Sequence, residues 1–437
     1  MTAFDDGLLS PVATGFDDAV RDDAVVDALV RAELALVTAY RETGMLTDGD
    51  HAVLAVALGK EPVGGPIDGA SLAAASVSSG NPVIPLVAVL RDRVPEHLRL
   101  WIHRGATSQD IVDTALMIVA VSAVGRLRAL LDRVLAGLAR LEETHGADVV
   151  VARTLTQHAV PTTVGTRVHT WTRGVERAVS RLALLEFPAQ LAGAAGTRAS
   201  FVQITGSVAG AQALAASFAR HAGLEEPEGS WQVSRWPITE MGDALVQTLD
   251  ALGKVATDVA TLSRTEIGEM AEGAGGGSSA MPHKSNPVES TLIRSASLRA
   301  PQLAATLHLA AAQAADERPD GAWHAEWPTL REMLRLALGA SAHAGSLVEG
   351  LRIDVAAGTR NLDLTGGLVI TERLAIVLEP LIGRARFDDV QSAARSGQDL
   401  RSLIRALPEA NDLDVDALLD PARYVGRDPA SEFPGER

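Results

Sequence analysis

The sequence contains no cysteine among its 437 residues, and aromatic residues make up only 3% of it. The first absence excludes disulfide bonds and thiolate metal sites. The second leaves a core built mostly of alanine, leucine and valine, since hydrophobic residues account for 47% of the chain. Alanine and leucine favour helices, whereas the aromatic residues that favour strands are scarce. The composition therefore predicts an all-α protein.

Basic side chains are also in short supply. The chain has 39 lysines and arginines against 55 aspartates and glutamates, which gives a formal net charge of −16. A nucleic acid backbone needs a basic face on its partner, so nucleic acid is not an expected partner. The negative field also opposes the long-range attraction of an anionic substrate. Any anion site must therefore depend on local arginines, lysines and helix N-termini.

Targeting and membrane signals are likewise missing from the sequence. The N-terminal residues do not resemble a secretory signal, and no apolar run approaches the roughly 20 residues that span a bilayer. The sequence therefore predicts a soluble, cytoplasmic protein that does not bind membranes.

Long runs of helical periodicity dominate what is present. Five long segments are predicted at 113–143, 163–185, 240–271, 288–315 and 330–348. Helices of such length need partners along their whole length, so we interpret them as one central bundle. The predicted domains are an N-terminal helical domain at 1–105, the bundle at 106–350, and a C-terminal helical domain at 351–437.

A glycine- and serine-rich stretch at 272–290 reads EGAGGGSSAMPHKSNPVES. Because helical periodicity precedes and follows it, the stretch predicts a mobile loop between two long helices. Glycines let a backbone approach a small ligand closely, although a plain flexible linker has the same composition. Lys284 and Asn286 favour the ligand-binding interpretation. A phosphate-binding P-loop is excluded, because Lys284 follows His283 instead of a glycine and no strand pattern precedes it.

A second stretch, HRGATSQDIVDTA at 103–115, has the pattern of a helix N-terminus. Thr107 and Ser108 stand directly before an apolar run, with Asp110 and Asp113 in the first turns. The two hydroxyls can serve simply as helix caps. They can also form an anion site together with the free N–H groups of the first turn. The residues alone leave both interpretations open.

Three further stretches contain polar residues that could belong to a site: SSGNPVIPLV at 78–87, ARTLTQHAVPTTVG at 152–165 and ERPDGAWHAEWPTL at 317–330. Asn81 and the proline after it interrupt a helical pattern, as an ordinary turn would. His158 is either a hydrogen-bonded structural histidine or an active-site residue. His324 and Glu326 lack the HExxH spacing, so no metal site is predicted.

These stretches together resemble the blocks of the fumarase/aspartase superfamily. The match to its GSSxMPxKxNP loop covers Gly277, Ser278, Ser279, Met281, Pro282, Lys284, Asn286 and Pro287. In that family the loop closes over a substrate carboxylate. The resemblance implies that Ser278 is the catalytic base or acid, and that Lys284 and Asn286 hold the developing anion.

The resemblance assigns roles to residues in the other blocks as well. Thr107 and Ser108 match the carboxylate-binding positions of the HxGxTSxDxxDT block, and His103 matches its histidine. The remaining stretches look like those of the muconate cycloisomerase branch. There the resemblance makes His158 catalytic and places Gln157, Asn81 and Arg318 at the substrate, Arg318 as a bidentate ligand of a carboxylate.

Two positions depart from the pattern of the superfamily. Thr291 stands where many relatives carry a glutamate. Leu155 stands where fumarases, argininosuccinate lyases and adenylosuccinate lyases carry a histidine that transfers a proton, and where the cycloisomerases usually carry tryptophan. Leucine cannot carry a proton, so the resemblance to the proton-transferring lyases is weakened at this position.

The resemblance implies a reaction and an assembly. It favours a cofactor-free cycloisomerase that acts on 3-carboxy-cis,cis-muconate, a small polycarboxylate of protocatechuate degradation. It also implies a homotetramer in which three chains contribute to each active site. One alternative is adenylosuccinate lyase or another β-eliminating lyase, and Leu155 opposes the first of these. The other is an inactive structural family member, which the intact Ser278, Lys284 and Asn286 oppose.

Overall fold

The computed structural model describes residues 7–59, 65–273, 276–277, 281 and 284–426. Its helices in chain order are α1 (Asp22–Glu42), α2 (Asp48–Ala57), α3 (Gly69–Ser79), α4 (Val83–Asp92), α5 (Ser108–His145), α6 (Val164–Leu182), α7 (Ala199–Thr205), α8 (Val208–Ala222), α9 (Trp236–Leu262), α10 (Val288–Ala312), α11 (Gly321–Gly350), α12 (Val355–Asp363), α13 (Thr371–Ile382), α14 (Arg384–Arg395), α15 (Leu400–Arg405) and α16 (Val415–Leu419). The longest, α5, has 38 residues and is about 57 Å long. The predicted all-α class is confirmed.

The strands are few and short. They are β1 (Val149–Thr154), β2 (Gln157–Thr163), β3 (Met270–Ala271), β4 (Gly276–Gly277), β5 (Ser285–Asn286) and β6 (Arg352–Ile353). They pair in antiparallel twos, β1 with β2, β3 with β6 and β4 with β5. These pairs connect helices and form no layer of their own.

Two of the predicted long helices have different ends in the structure. The helix predicted at 240–271 begins at Trp236 and ends at Leu262, and Met270 and Ala271 at the end of the predicted segment pair with β6 instead. The helix predicted at 330–348 begins earlier, at Gly321, with Pro328 inside it. A proline there removes only one backbone N–H, and the buried Trp323 anchors the turns before it.

The chain folds into two compact units. The first comprises Met1–Leu130, Ala178–Asp250 and Ser295–Ala342, and the second comprises Leu131–Arg177, Ala251–Arg294 and His343–Arg437. In the first unit α1 packs against α8. In the second, Val151 of β1 joins an apolar core with Leu374, Leu378 and Phe387. The division at 1–105, 106–350 and 351–437 stays a prediction.

One helix, α5, is long and apolar enough by length and composition to cross a membrane. The expectation that no run approached this length was therefore too strict. However, 61% of its most apolar window is buried inside the protein, as in the core helix of a soluble protein. The buried residues on α5 include Ile111, Met117 and Leu127.

The β1–β2 hairpin was not predicted. Its two-residue loop is Leu155-Thr156, and both residues have positive φ, at 48° and 70°. Such loops usually contain Asn-Gly or Asp-Gly, because the Cβ of most residues strains a left-handed backbone, most of all when it is branched as in Thr156. Leu155 is 96% exposed. The tip of this hairpin is therefore strained and presents an apolar side chain.

We expect L155N combined with T156G to raise the free energy of unfolding by about 2 kcal/mol, because asparagine and glycine relieve the left-handed strain. Chemical denaturation of the intact protein measures the change. The control is T257G at an exposed position inside α9, where glycine should lower stability. A double variant no more stable than the native chain would show that the tip is unstrained.

Candidate functional site

Two predicted carboxylate ligands lie together in the first unit. The side chain of Arg318 donates a hydrogen bond of 2.8 Å from Nη1 to Thr107 Oγ1. Thr107 directly precedes α5, whose first residue is Ser108, and both are buried to 8% exposure. The guanidinium thus lies at a helix N-terminus, where the helix dipole also favours negative charge. This arrangement can bind a carboxylate.

A buried ionic cluster supports Arg318. Arg235 donates to both Asp113 and Glu326, at 2.8 Å and 2.7 Å, and all three are fully or almost fully buried. Trp323 Nε1 donates to Asp113 Oδ1 at 2.9 Å. The Arg318 guanidinium lies 5.5 Å from the Trp323 ring centre. The residues of 317–330 therefore position Arg318 through packing, and Glu326 is an internal ion-pair partner instead of a metal ligand.

Asp110 connects the start of α5 to a neighbouring loop. Its carboxylate accepts from the backbone N–H groups of Thr107, Ala192 and Gly193, at 2.9, 2.8 and 3.0 Å. Burial raises the pKa of Asp110 to about 6, although the three N–H donors lower it. The aspartate thus holds the turn that presents Thr107.

His103 is held by a buried glutamate. Its Nδ1 lies 2.7 Å from Glu33 Oε1, and its backbone N–H donates to Glu33 Oε2 at 2.9 Å. The backbone of His103 is in the left-handed region, with φ of 61°. Asn81, in contrast, uses its side-chain oxygen to cap Val83 at the start of α4. The structure thus explains Asn81 as a turn residue, and its predicted contact with substrate stays a prediction.

The ends of the glycine-rich stretch are fixed in the second unit. Glu272 accepts from the backbone N–H groups of Glu289 and Ser290 at the start of α10, at 3.0 and 2.8 Å. A Cβ on Gly273 would meet the backbone oxygen of Gly350 at 2.6 Å, so only glycine fits there. Asn286 is partly buried in β5 and Lys284 is exposed. Ser278, the predicted catalytic base or acid, lies outside the described residues.

His158 lines a cavity of 760 Å³ in the second unit. The hairpin places His158 opposite Arg153, while Gln157 is exposed beside the tip. The rest of the lining comes from the hairpin, from α6, from α9 and the segment that follows it, and from Asn361 and Leu364. The cavity thus offers several hydrogen-bonding and charged groups to a ligand.

The buried carboxylate of Glu269 connects the hairpin that carries His158 to two helices. Glu269 is 2% exposed and pairs with Arg153 at 2.5 Å and with Arg167 at 3.7 Å. Asn361 also donates to Glu269 at 2.8 Å. Sequence reasoning missed Glu269 and Arg167, because neither stands in a motif and helical periodicity says nothing about their pairing.

The pKa of His158 is lowered from its ordinary value of 6.5. Partial burial is the main cause and the positive charge of Arg153 adds to it, while Glu269 raises the pKa. A neutral imidazole near pH 7 can accept a proton. Among the described residues, no group of three or more histidine, aspartate or glutamate side chains is placed to hold a metal ion.

A comparison with known families matches residues 75–301 to the family described as Lyase. The chain belongs to this family of the fumarase/aspartase superfamily. The matched range includes the 103–115 block, the hairpin and the glycine-rich stretch. The helical fold is that of the fumarase/aspartase type.

The relatives of this chain are named for two different reactions. A nitrosuccinate lyase of Streptomyces davaonensis is 43% identical over 97% of this chain and 93% of its own. A 3-carboxy-cis,cis-muconate cycloisomerase of Pseudomonas aeruginosa is 36% identical over 96% of this chain and 92% of its own. The crystal structure of the muconate lactonizing enzyme of Pseudomonas putida superimposes with a TM-score of 0.87, at 32% identity and 96% coverage of both chains.

The titration of His158 can be measured by NMR of its ring protons. We expect a midpoint below 6.5 in the native protein, a higher midpoint in Arg153→Gln, and a lower one in Glu269→Gln, because each variant removes one charge that shifts the pKa. Arg177→Gln, an exposed change on α6, is the control. Equal midpoints in all four proteins would contradict the electrostatic assignment.

Proposed function

We propose that this lyase removes nitrite from nitrosuccinate by β-elimination. The similarity that favours this substrate is the 43% identity to a nitrosuccinate lyase over 97% of the chain. The observation that carries the carboxylate chemistry is the Arg318–Thr107 pair at the N-terminus of α5. A dicarboxylate fits such a site better than a neutral substrate does.

The reaction begins with loss of a proton from the carbon next to one carboxylate. The carbon–nitrogen bond at the neighbouring carbon then breaks, and the electron pair leaves with nitrite, so that the products are fumarate, nitrite and a proton. Ser278 moves the proton, and Lys284 and Asn286 stabilise the negative charge that develops on the carboxylate. Arg318 and Thr107 hold the second carboxylate in place.

Cycloisomerisation of 3-carboxy-cis,cis-muconate is the second candidate function. It is favoured by the 36% identity to a cycloisomerase and by the TM-score of 0.87 to a solved lactonizing enzyme. In this reaction a carboxylate oxygen of the substrate adds to the diene, and the neighbouring carbon takes up a proton. The same serine, lysine and asparagine would serve, because both reactions pass through a carbanion stabilised by a carboxylate.

The proposed assembly is a cytoplasmic homotetramer that needs no cofactor. In this assembly the 103–115 block, the hairpin and the glycine-rich stretch of one active site come from three different chains. Sedimentation of the purified protein tests the tetramer directly. A monomer that turns over substrate at full rate would overturn the shared site.

One assay separates the candidate reactions. The purified enzyme is mixed with nitrosuccinate, with 3-carboxy-cis,cis-muconate and, as a third substrate, with adenylosuccinate. We expect nitrite and fumarate to appear in equal amounts from nitrosuccinate. Loss of the diene absorbance would establish cycloisomerisation instead, and release of AMP would establish adenylosuccinate lyase. A folded protein that is inactive with all three substrates would favour the alternative of an inactive structural family member.

The role of Ser278 is tested by Ser278→Ala. We expect kcat to fall on the order of 10³-fold, the usual contribution of a proton-transfer group, with an unchanged circular dichroism spectrum. Ser263→Ala, directly after the end of α9, is the control and should keep its activity. Activity retained in Ser278→Ala would assign proton transfer to another residue.

The carboxylate site is tested by Arg318→Lys. Lysine keeps the charge but loses the forked donors, so KM should rise about tenfold while kcat changes less. Arg126→Lys, an exposed change on α5, is the matched control. An unchanged KM in Arg318→Lys would remove this arginine from the substrate site.

A further inference from the structure

The cavity beside His158 holds more positive charge than its carboxylates balance, and the excess lies on its buried arginines. Glu269 is shared between Arg153 and Arg167. Asp258 is bound by Lys254 at 2.5 Å, and Trp171 Nε1 also donates to it at 2.8 Å. The exposed Lys254 balances Asp258, so the two buried arginines share a single carboxylate and one positive charge is in excess.

Arg167 carries this excess. Its Nη1 is buried and makes no hydrogen bond with any residue that the structure describes. The 3.7 Å between Nη1 and Glu269 Oε2 is too long for a hydrogen bond. The side chain of Arg167 is only 15% exposed. A buried guanidinium N–H without an acceptor is costly, and native proteins usually supply one.

The surroundings of Arg167 suit an oxygen anion. Thr162, Thr166 and Thr170 line the same cavity and bring hydroxyl groups to it. Arg264 and Glu266 lie at its exposed rim, and their opposite charges cancel. The excess charge therefore stays inside the cavity, although the whole chain is acidic.

We infer that this cavity binds a small oxyanion, a carboxylate or nitrite, with Arg167 Nη1 as a direct donor. Two sources have this chemistry: the substrate carboxylate whose developing charge Lys284 and Asn286 also stabilise, and a small free anion such as released nitrite. The first source rests on the proposed function. The existence of the anion site does not, because the charge excess and the unmatched donor are properties of the cavity alone.

The experiment measures anion binding by calorimetry in the full-length protein, with fumarate and nitrite as the probes. We expect Arg167→Gln to weaken the binding of at least one probe tenfold or more, because it removes a charged donor. Arg173→Gln, an exposed change on the same helix, is the matched control and should bind both anions normally.

The two sources give different results. If the site binds the substrate's carboxylate, Arg167→Gln lowers the affinity for fumarate and raises KM in the turnover assay. If it takes a separate small anion, nitrite binding is lost while fumarate affinity and KM stay the same. Unchanged affinity for both anions in folded Arg167→Gln overturns the inference, whatever the turnover assay shows.

The anion site and the proposed reaction are tested independently of each other. A chain inactive with every tested substrate that still loses anion binding in Arg167→Gln keeps the site and overturns the reaction. Should Arg167→Gln not fold, Arg167→Lys retains the charge without the forked donors. We then expect about tenfold weaker anion binding in that variant, and native affinity would overturn the inference.

Discussion

The stability of the second unit depends on the contacts of one buried carboxylate, that of Glu269. It is buried, and it pairs with Arg153 of the hairpin and Arg167 of α6 and accepts from Asn361 of α12. Removing one partner of such a group leaves an uncompensated buried charge, which is strongly destabilising. The same carboxylate fixes the strand opposite His158 and influences its pKa. The Glu269 side chain therefore affects both the stability of the second unit and the pKa of His158.

The first unit also contains a buried ionic cluster, but there the negative charges outnumber the positive ones. Arg235 is enclosed by Asp113 and Glu326, so that two carboxylates share one cation. Trp323 completes the hydrogen bonding of Asp113 and packs beside Arg318. The negative excess lies behind Arg318, whereas the second unit has its positive excess open to a cavity. A buried cation without a balancing carboxylate costs energy, so the excess in the second unit points to a bound anion. In the first unit Arg235 is fully balanced, and Arg318 with Thr107 forms the anion site instead.

Helical periodicity was enough to predict the class of the fold and most of its long segments, because apolar residues repeat along each one. It could not predict the β1–β2 hairpin, since the apolar run at its start also fits a helix. The proximity of Thr107 and Arg318 followed from resemblance to a family, not from the residues. Glu269 and Arg153 are 116 positions apart, and nothing local in either segment indicates their pairing.

The positive charge in excess beside His158 requires a bound oxyanion. One crystallographic experiment decides this, with crystals of the protein grown in fumarate and in nitrite. We expect density for at least one of the two anions in the cavity, with an oxygen about 3 Å from Arg167 Nη1, the ordinary hydrogen-bond distance. A cavity that holds only water in both crystals would contradict the inference.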